Sequence, residues 1–410
     1  RVCQGGGWGF ASFDGYETLA TAVTEAIASA RWLGGGQTRL AAVPTVQTTV
    51  GLPAAHDPRT VPLAAKHALC TDLDAGLRGG GEVKSRVSYR DCWRRVGLFT
   101  NEGTAIVQEF GDWELQVAAT ARTLDTVQTA RETVGSCRCF QELLGMLTKA
   151  PAIAQRAVAA TRYPVVPAGT YTVVIDPILA GLLVHEAFGH LSEADALVEN
   201  PELQKTMRRG RRFGPPNLHI LDGAVPGETH RGSYVYDDEG VPQQTTSLLQ
   251  NGVLVGRLHN RETAARLGEA PTGNARCLDY GYPPFVRMTN TWMAAGDVSP
   301  SDLVHDLKHG ICAGNWVGGT TNGEYFTFTA GEAWRICNGQ KVEPLRDVTL
   351  TGNVFQTLKQ IEAIGDDLTW DESGGCGKNG QDGLPVGCGA PSLRLRRVAI
   401  GGTQGATLSG

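Results

Sequence analysis

The sequence predicts an α+β protein of two domains: an N-terminal α/β domain over residues 1–165 and a C-terminal β-rich domain over residues 166–410. Three observations lead there. At 410 residues the chain exceeds what one core ordinarily organises. Its 53 glycines ask for many turns and close backbone approaches, which suits a β-rich protein. Beyond Asn217 the text is mostly short strands, two of them meeting at strong hairpin signals.

Taken in order, Asp14 to Leu33 reads as a helix. Leu19, Val23, Ala26, Ile27, Ala30 and Leu33 recur at helical spacing, and Gly34-Gly35-Gly36 ends the run. Residues 37–95 carry prolines, glycines and few clear periods. Leu98 to Ala121 reads as a strand pair turning at Gly111-Asp112. A helix follows, with Phe140, Leu143, Leu144 and Leu147 on one face, running to about Thr161. Two prolines and a glycine between Tyr163 and Gly169 mark the domain boundary. The second domain opens on an apolar strand, Tyr171 to Ile175. Asp176 then suits a helix N-cap and Pro177 the first helical position, so a helix is expected from Pro177 onward. Asn251-Gly252 and Asn338-Gly339, each between apolar segments, predict two hairpins. Ser301 to Lys308 suits a short helix.

Composition narrows the function. Acidic residues outnumber basic ones, 37 − 42 = −5, which argues against a general nucleic-acid binder. The best apolar run, Pro177 to Val184, is far short of the roughly 20 residues that span a bilayer, so no membrane role is expected. There is no signal peptide, and the opening from Arg1 into Gly5-Gly6-Gly7-Trp8-Gly9-Phe10 reads as mid-domain text, as though the first domain were truncated at its start. The ten cysteines are scattered and form no CxxC pair. Reduced thiols in a cytoplasmic protein fit that pattern.

The informative segment is His185-Glu186-Ala187-Phe188-Gly189-His190. Two imidazoles flank a carboxylate on the expected helix. Imidazole is a good zinc ligand, and a neighbouring carboxylate can take a proton from water activated by the metal. The spacing raises a difficulty. Residues five apart lie roughly 140° apart around a regular α-helix, so both rings cannot face one ion. A π-bulge, or a local opening at Gly189, would bring them together. A catalytic zinc also takes a third protein ligand. Cys376, between glycines in Ser373-Gly374-Gly375-Cys376-Gly377-Lys378, is the best candidate, with an accessible thiol expected. Taken singly it reads equally as a structural thiol. Glu193 and Asp195 are candidates to orient the histidines, or else solvated charges at the helix end.

These residues resemble the TldD/PmbA metallopeptidases, and the TldD branch in particular. The histidine segment is similar to the family's HExxxH. Tyr236-Asp237-Asp238-Glu239-Gly240-Val241-Pro242, Pro271-Thr272-Gly273-Asn274-Ala275-Arg276, Arg287-Met288-Thr289-Asn290-Thr291 and Cys376-Gly377-Lys378-Asn379-Gly380-Gln381 resemble further family segments in the same order. So do Gly6-Gly7-Trp8-Gly9-Phe10-Ala11-Ser12, Thr100-Asn101-Glu102-Gly103-Thr104 and the tail Gly401-Gly402-Thr403. The likeness is weakest over residues 37–95. Cys388 departs from it, standing where an apolar residue is expected. The resemblance implies zinc on His185, His190 and Cys376, with Glu186 as general base. It implies a zinc metallopeptidase of small, unfolded or modified peptides. It also implies a dimer, either a homodimer or a heterodimer with a related PmbA/TldE-like subunit. The fold reading is then completed: the zinc-binding helix belongs to the C-terminal domain. Two other readings stand beside it, a zinc enzyme tailoring a natural product and a non-catalytic partner subunit.

Other signals carry less. The glycines at 5–9 suit a tight turn, not a phosphate loop. Cys137 and Cys139 lack a second pair for a metal. The arginines at 208–212 suit a surface loop, and His305 and His309 read as surface residues.

Overall fold

A computed structural model describes residues 1–36 and 38–401. Gly402 and Thr403 of the tail motif lie outside the described residues. Gly5 and Gly6, at φ 62° and 81°, turn a small hairpin of Val2–Gln4 and Gly7–Gly9. It packs on helix α1 (Leu19–Trp32), whose Ala22, Ala26 and Ala30 form the buried face. A Cβ on Gly9 would stand 1.7 Å from the Ala26 carbonyl oxygen, so this glycine lets strand and helix backbones touch.

Residues 37–95 hold more structure than their text suggests. Helix α2 (Leu63–Gly80) buries Leu69, Leu73 and Leu77. That stripe is one leucine per turn, too thin to stand out as a period. Strands β1 (Lys84–Phe99) and β2 (Ala105–Arg122) form a long hairpin that turns at Thr100–Gly103. The expected turn at Gly111-Asp112 is therefore wrong: both lie inside β2, opposite Trp93 and Cys92. Gly111 is small for another reason, since a Cβ there would meet the His56 carbonyl oxygen at 2.1 Å. Strand β3 (Val127–Ser136) pairs with β2. Helix α3 (Met146–Ala160) and α2 cover the sheet, with Leu73, Leu77, Leu115, Val117 and Ile153 in the core between them.

A second core gathers residues from Val166 to Ile400. Five strands pair in a ring: β4 (Gly169–Ile175), β5 (His309–Asn322), β6 (Tyr325–Cys337), β7 (Thr349–Asn353) and β8 (Leu393–Gly401). β4 joins β5 and β8, β8 joins β7, β7 joins β6, and β6 returns to β5. A separate sheet runs in the order 253–254, 246–250, 220–222, 290–293, 387–390 and 369–371. The hairpin signals hold at both places. Asn251 and Gly252, and Asn338 and Gly339, all take positive φ, as two-residue hairpin turns require. His305 ends a short helix, Asp302–His305, and His309 begins β5, so the two share no helix face.

The seam between the two cores is charged. Arg261 donates to both oxygens of Glu102 at 2.6 and 2.9 Å. Arg156 bridges Glu132 at 2.7 Å and Glu332 at 2.5 Å. Among the described residues no helix is long and apolar enough to cross a membrane.

Candidate metal centre

Helix α4 (Pro177–Val184) starts as expected: Asp176 Oδ1 accepts from the Leu179 amide at 2.8 Å, and Pro177 occupies the first turn. Leu179, Ala180, Gly181, Leu183 and Val184 are all buried, so the helix runs through the core. At Gly181 a Cβ would sit 3.3 Å from the Cys388 carbonyl oxygen, which brings the helix hard against the strand 387–390.

The α-helix does not continue through the histidines. His185–Gly189 form a π turn and His190–Ser192 a 3-10 turn. This is the distortion that five-residue spacing demands. Wider winding swings position i+5 back towards position i. The two imidazole rings meet edge to face with centroids 5.2 Å apart. Gly189 belongs to the same solution, because a Cβ there would overlap Met288 Sδ at 1.9 Å.

Cys376 opens the strand Cys376–Lys378, which pairs with Gln381–Leu384. Its Sγ stands 3.5 Å from His190 Nε2. One donor atom from each of His185, His190 and Cys376 lies within 4.8 Å of the other two. The thiol is not accessible as expected; Cys376 is 3% exposed. Its neighbouring glycine serves packing instead, since a Cβ on Gly375 would meet the Gly383 backbone at 2.5 Å. Two nitrogens and a sulfur of this kind fit zinc in its open, three-ligand arrangement. Glu186 is partly buried and, among the described residues, makes no hydrogen bond.

The surroundings polarise the three donors. Burial opposes charge on each, but the partners win. Burial lowers His190, yet the Glu193 carboxylate and Cys376 carry it to about 10. Burial lowers His185 too, and the sulfurs of Cys388 and Cys376 outweigh it, holding the imidazole well above its ordinary range. Burial raises Cys376, while the two imidazoles bring the thiol down to about 5. Without a metal the cluster is therefore a thiolate between imidazolium groups.

The two candidate orienting carboxylates behave differently. Glu193 Oε2 lies 3.1 Å from His190 Nδ1, so it does touch a histidine. Asp195 touches neither; it accepts from Lys378 Nζ at 2.7 and 2.8 Å. Lys378 also reaches Glu193 at 3.0 Å, so Asp195 acts on His190 only through two intermediaries. Burial raises Glu193, but Lys378 and His190 bring it down to about 2. Lys378 and Cys388 were missed as members of this cluster. Nothing in their spacing marks them, and only the fold places them there. Cys137 and Cys139 remain free thiols. Among the arginines at 208–212, Arg211 and Arg212 donate to nearby carbonyls as loop residues do.

A cavity of about 1220 Å³ lies between the two halves. Val134 and Gly135 of β3 line it on one side, Trp370 and Asp371 of the strand 369–371 on the other. Among the described residues each strand pairs along one edge, with β2 and with 387–390 respectively. Cys388 in that last strand contacts His185, so the cavity wall is one strand removed from the cluster.

Known proteins can now be set beside this geometry. Residues 168–402 match the model of the PmbA/TldA metallopeptidase C-terminal domain. A metalloprotease of Synechocystis sp. is 56% identical over 405 residues, covering 98% of this chain and 87% of its own length. A zinc metalloprotease TldD homolog of Saccharolobus solfataricus is 38% identical over 238 residues, 57% of this chain and 52% of its own. The crystal structure of TldE from Thermococcus kodakarensis shares the fold, with a TM-score of 0.68 at 18% identity over 94% of this chain and 85% of its own. The chain belongs to the TldD/PmbA family of metallopeptidases.

Proposed function

We propose that the protein is a zinc-dependent peptidase acting on small, unfolded or modified peptides. The observation that carries this is the meeting of His185, His190 and Cys376 at a π turn that also carries Glu186. The Saccharolobus relative's name, a zinc metalloprotease, supports the choice of metal. Zinc held there would supply a Lewis acid for the scissile carbonyl and would lower the pKa of water.

The chain's own residues divide the remaining work. Glu186 takes a proton from the attacking water and passes it to the leaving amine. Glu193 holds the His190 ring through Nδ1, which turns Nε2 towards Cys376. The edge strands on the cavity offer unpaired backbone groups to an extended peptide. A dimer, either of two such chains or with a TldE-like subunit, belongs to the same reading, supported by the fold shared with TldE. So do a division of the chain near residue 165, supported by its two cores, and a cytoplasmic site, supported by ten free cysteines.

The test is zinc per chain in purified wild-type protein and in His185→Ala. Near one equivalent in the wild type and little in the variant is the expected result. No zinc in either, even when zinc is supplied, sinks the reading.

A further inference from the structure

The segment that delivers Cys376 is gripped from the far side of the seam. Arg231, which belongs to the C-terminal half like the segment itself, has a fully buried side chain and links that segment to the N-terminal half. Its Nη2 donates to Asp112 at 2.8 Å and Glu114 at 3.0 Å, both in β2. Its Nη1 donates to the carbonyl oxygens of Gly374 at 2.7 Å and Glu372 at 3.2 Å. Arg138 Nη1 crosses the seam to both oxygens of Glu372, at 2.8 and 3.2 Å, and to the Thr229 carbonyl at 2.6 Å. The hydroxyls of Thr133 and Ser373 lie 2.6 Å apart. At Gly135 a Cβ would stand 1.8 Å from the Glu372 carbonyl oxygen, so β3 lies directly on the segment.

These contacts converge on residues 372–374, two to four positions before Cys376. The intervening backbone is soft: Gly374 sits at φ 71° and Gly375 follows it. Glycine backbone of that kind does not set a sulfur's position by itself. Beyond Cys376, Arg287 Nη2 holds its carbonyl at 2.8 Å from within the C-terminal core. The cysteine is thus suspended between an anchor in its own core and a grip from the other half.

We propose that the N-terminal half, which supplies none of the three donors, positions Cys376 by holding residues 372–374, so that docking of the two halves and metal binding are coupled. Arg138 holds the segment directly from the N-terminal half, and Arg231, in the C-terminal half, relays the hold of Asp112 and Glu114; both are positioning residues. The coupling rests on the reading of His185, His190 and Cys376 as a metal centre. It is reciprocal: a metal at the trio tightens the seam by as much as the seam tightens the metal.

Full-length Arg231→Met and Arg138→Ala, titrated with zinc and with cobalt(II), test this. Both are expected to bind zinc about tenfold more weakly, and their cobalt forms to lose intensity in the thiolate-to-cobalt absorption band. Arg156→Met breaks a seam bridge that does not touch residues 372–374, and should leave both readings at wild-type values. Wild-type affinity and band intensity in the first two variants would overturn the coupling. So would an equal loss in Arg156→Met, which would mean general loosening. If Arg231→Met does not fold, Thr133→Val combined with Ser373→Ala removes a seam contact without removing a charge, and is read the same way. A wild-type protein that binds neither metal fails the centre itself, an outcome distinct from normal binding in every variant.

Discussion

Cys388 Sγ lies 3.5 Å from His185 Nδ1. This contact leaves the other ring nitrogen for the trio, as Glu193 does for His190. The two histidines thus have unlike supports, a thiol for one and a carboxylate for the other. Burial raises the Cys388 thiol and His185 opposes that shift. Cys388→Ala is expected to keep zinc stoichiometry while weakening zinc affinity about tenfold. Its cobalt form should keep the wild-type thiolate band. A clear drop in that band would instead make Cys388 a ligand.

Glu186 follows His185 in the π turn, and among the described residues its carboxylate makes no hydrogen bond. Glu186→Gln is expected to bind zinc like the wild type and to lose peptidase rate by about 10²–10⁴-fold. Metal content and turnover of an unstructured peptide, measured on one preparation, decide it. Undiminished turnover would remove the residue from the mechanism.

Metal uptake should release protons in a set pattern. In the metal-free protein His190 titrates at about 10 and His185 well above its ordinary range, so both carry a proton at neutral pH. Cys376, at about 5, has already lost its own. Zinc must displace the imidazole protons. Affinity should therefore rise with pH from neutrality towards about 10, and the thiol should add to the dependence only below about 5. Calorimetry of zinc binding in buffers of different ionisation enthalpy at neutral pH should show one proton released from each imidazole and none from the thiol. No proton release would contradict the charge state described here.

Gly189→Ala places a methyl group where Met288 Sδ now stands. Met288 is buried and cannot swing into solvent. Overpacking of this kind costs about 1–3 kcal/mol. A lower urea midpoint with an unchanged slope, together with weaker zinc binding, is expected. Wild-type stability would show that the π turn tolerates a side chain.

Much of the local structure was legible because its causes are local. The cap at Asp176 and Pro177 and the two Asn-Gly hairpins follow from residues within a few positions of one another. The five-residue spacing of His185 and His190 even required a helix distortion, and a π turn is what forms. Where the cause was distant, the text misled. Gly111 reads as a turn, yet it is small because the His56 carbonyl approaches from another part of the chain. The glycines around Cys376 suggest an open thiol, yet they allow the close hairpin that buries it.

The sequence by itself determined the donor types, their spacing along the helix and the family to which the chain belongs. A side chain's chemistry and a helix's winding are properties of a short stretch of chain, and both can be read from it. Only the tertiary structure decided which sulfur meets which nitrogen, that Lys378 stands between Glu193 and Asp195, and that Arg231 ties residues 372–374 to β2. These contacts join residues up to 186 positions apart. Their distances are set by how strands and helices pack in three dimensions, and no local pattern records that.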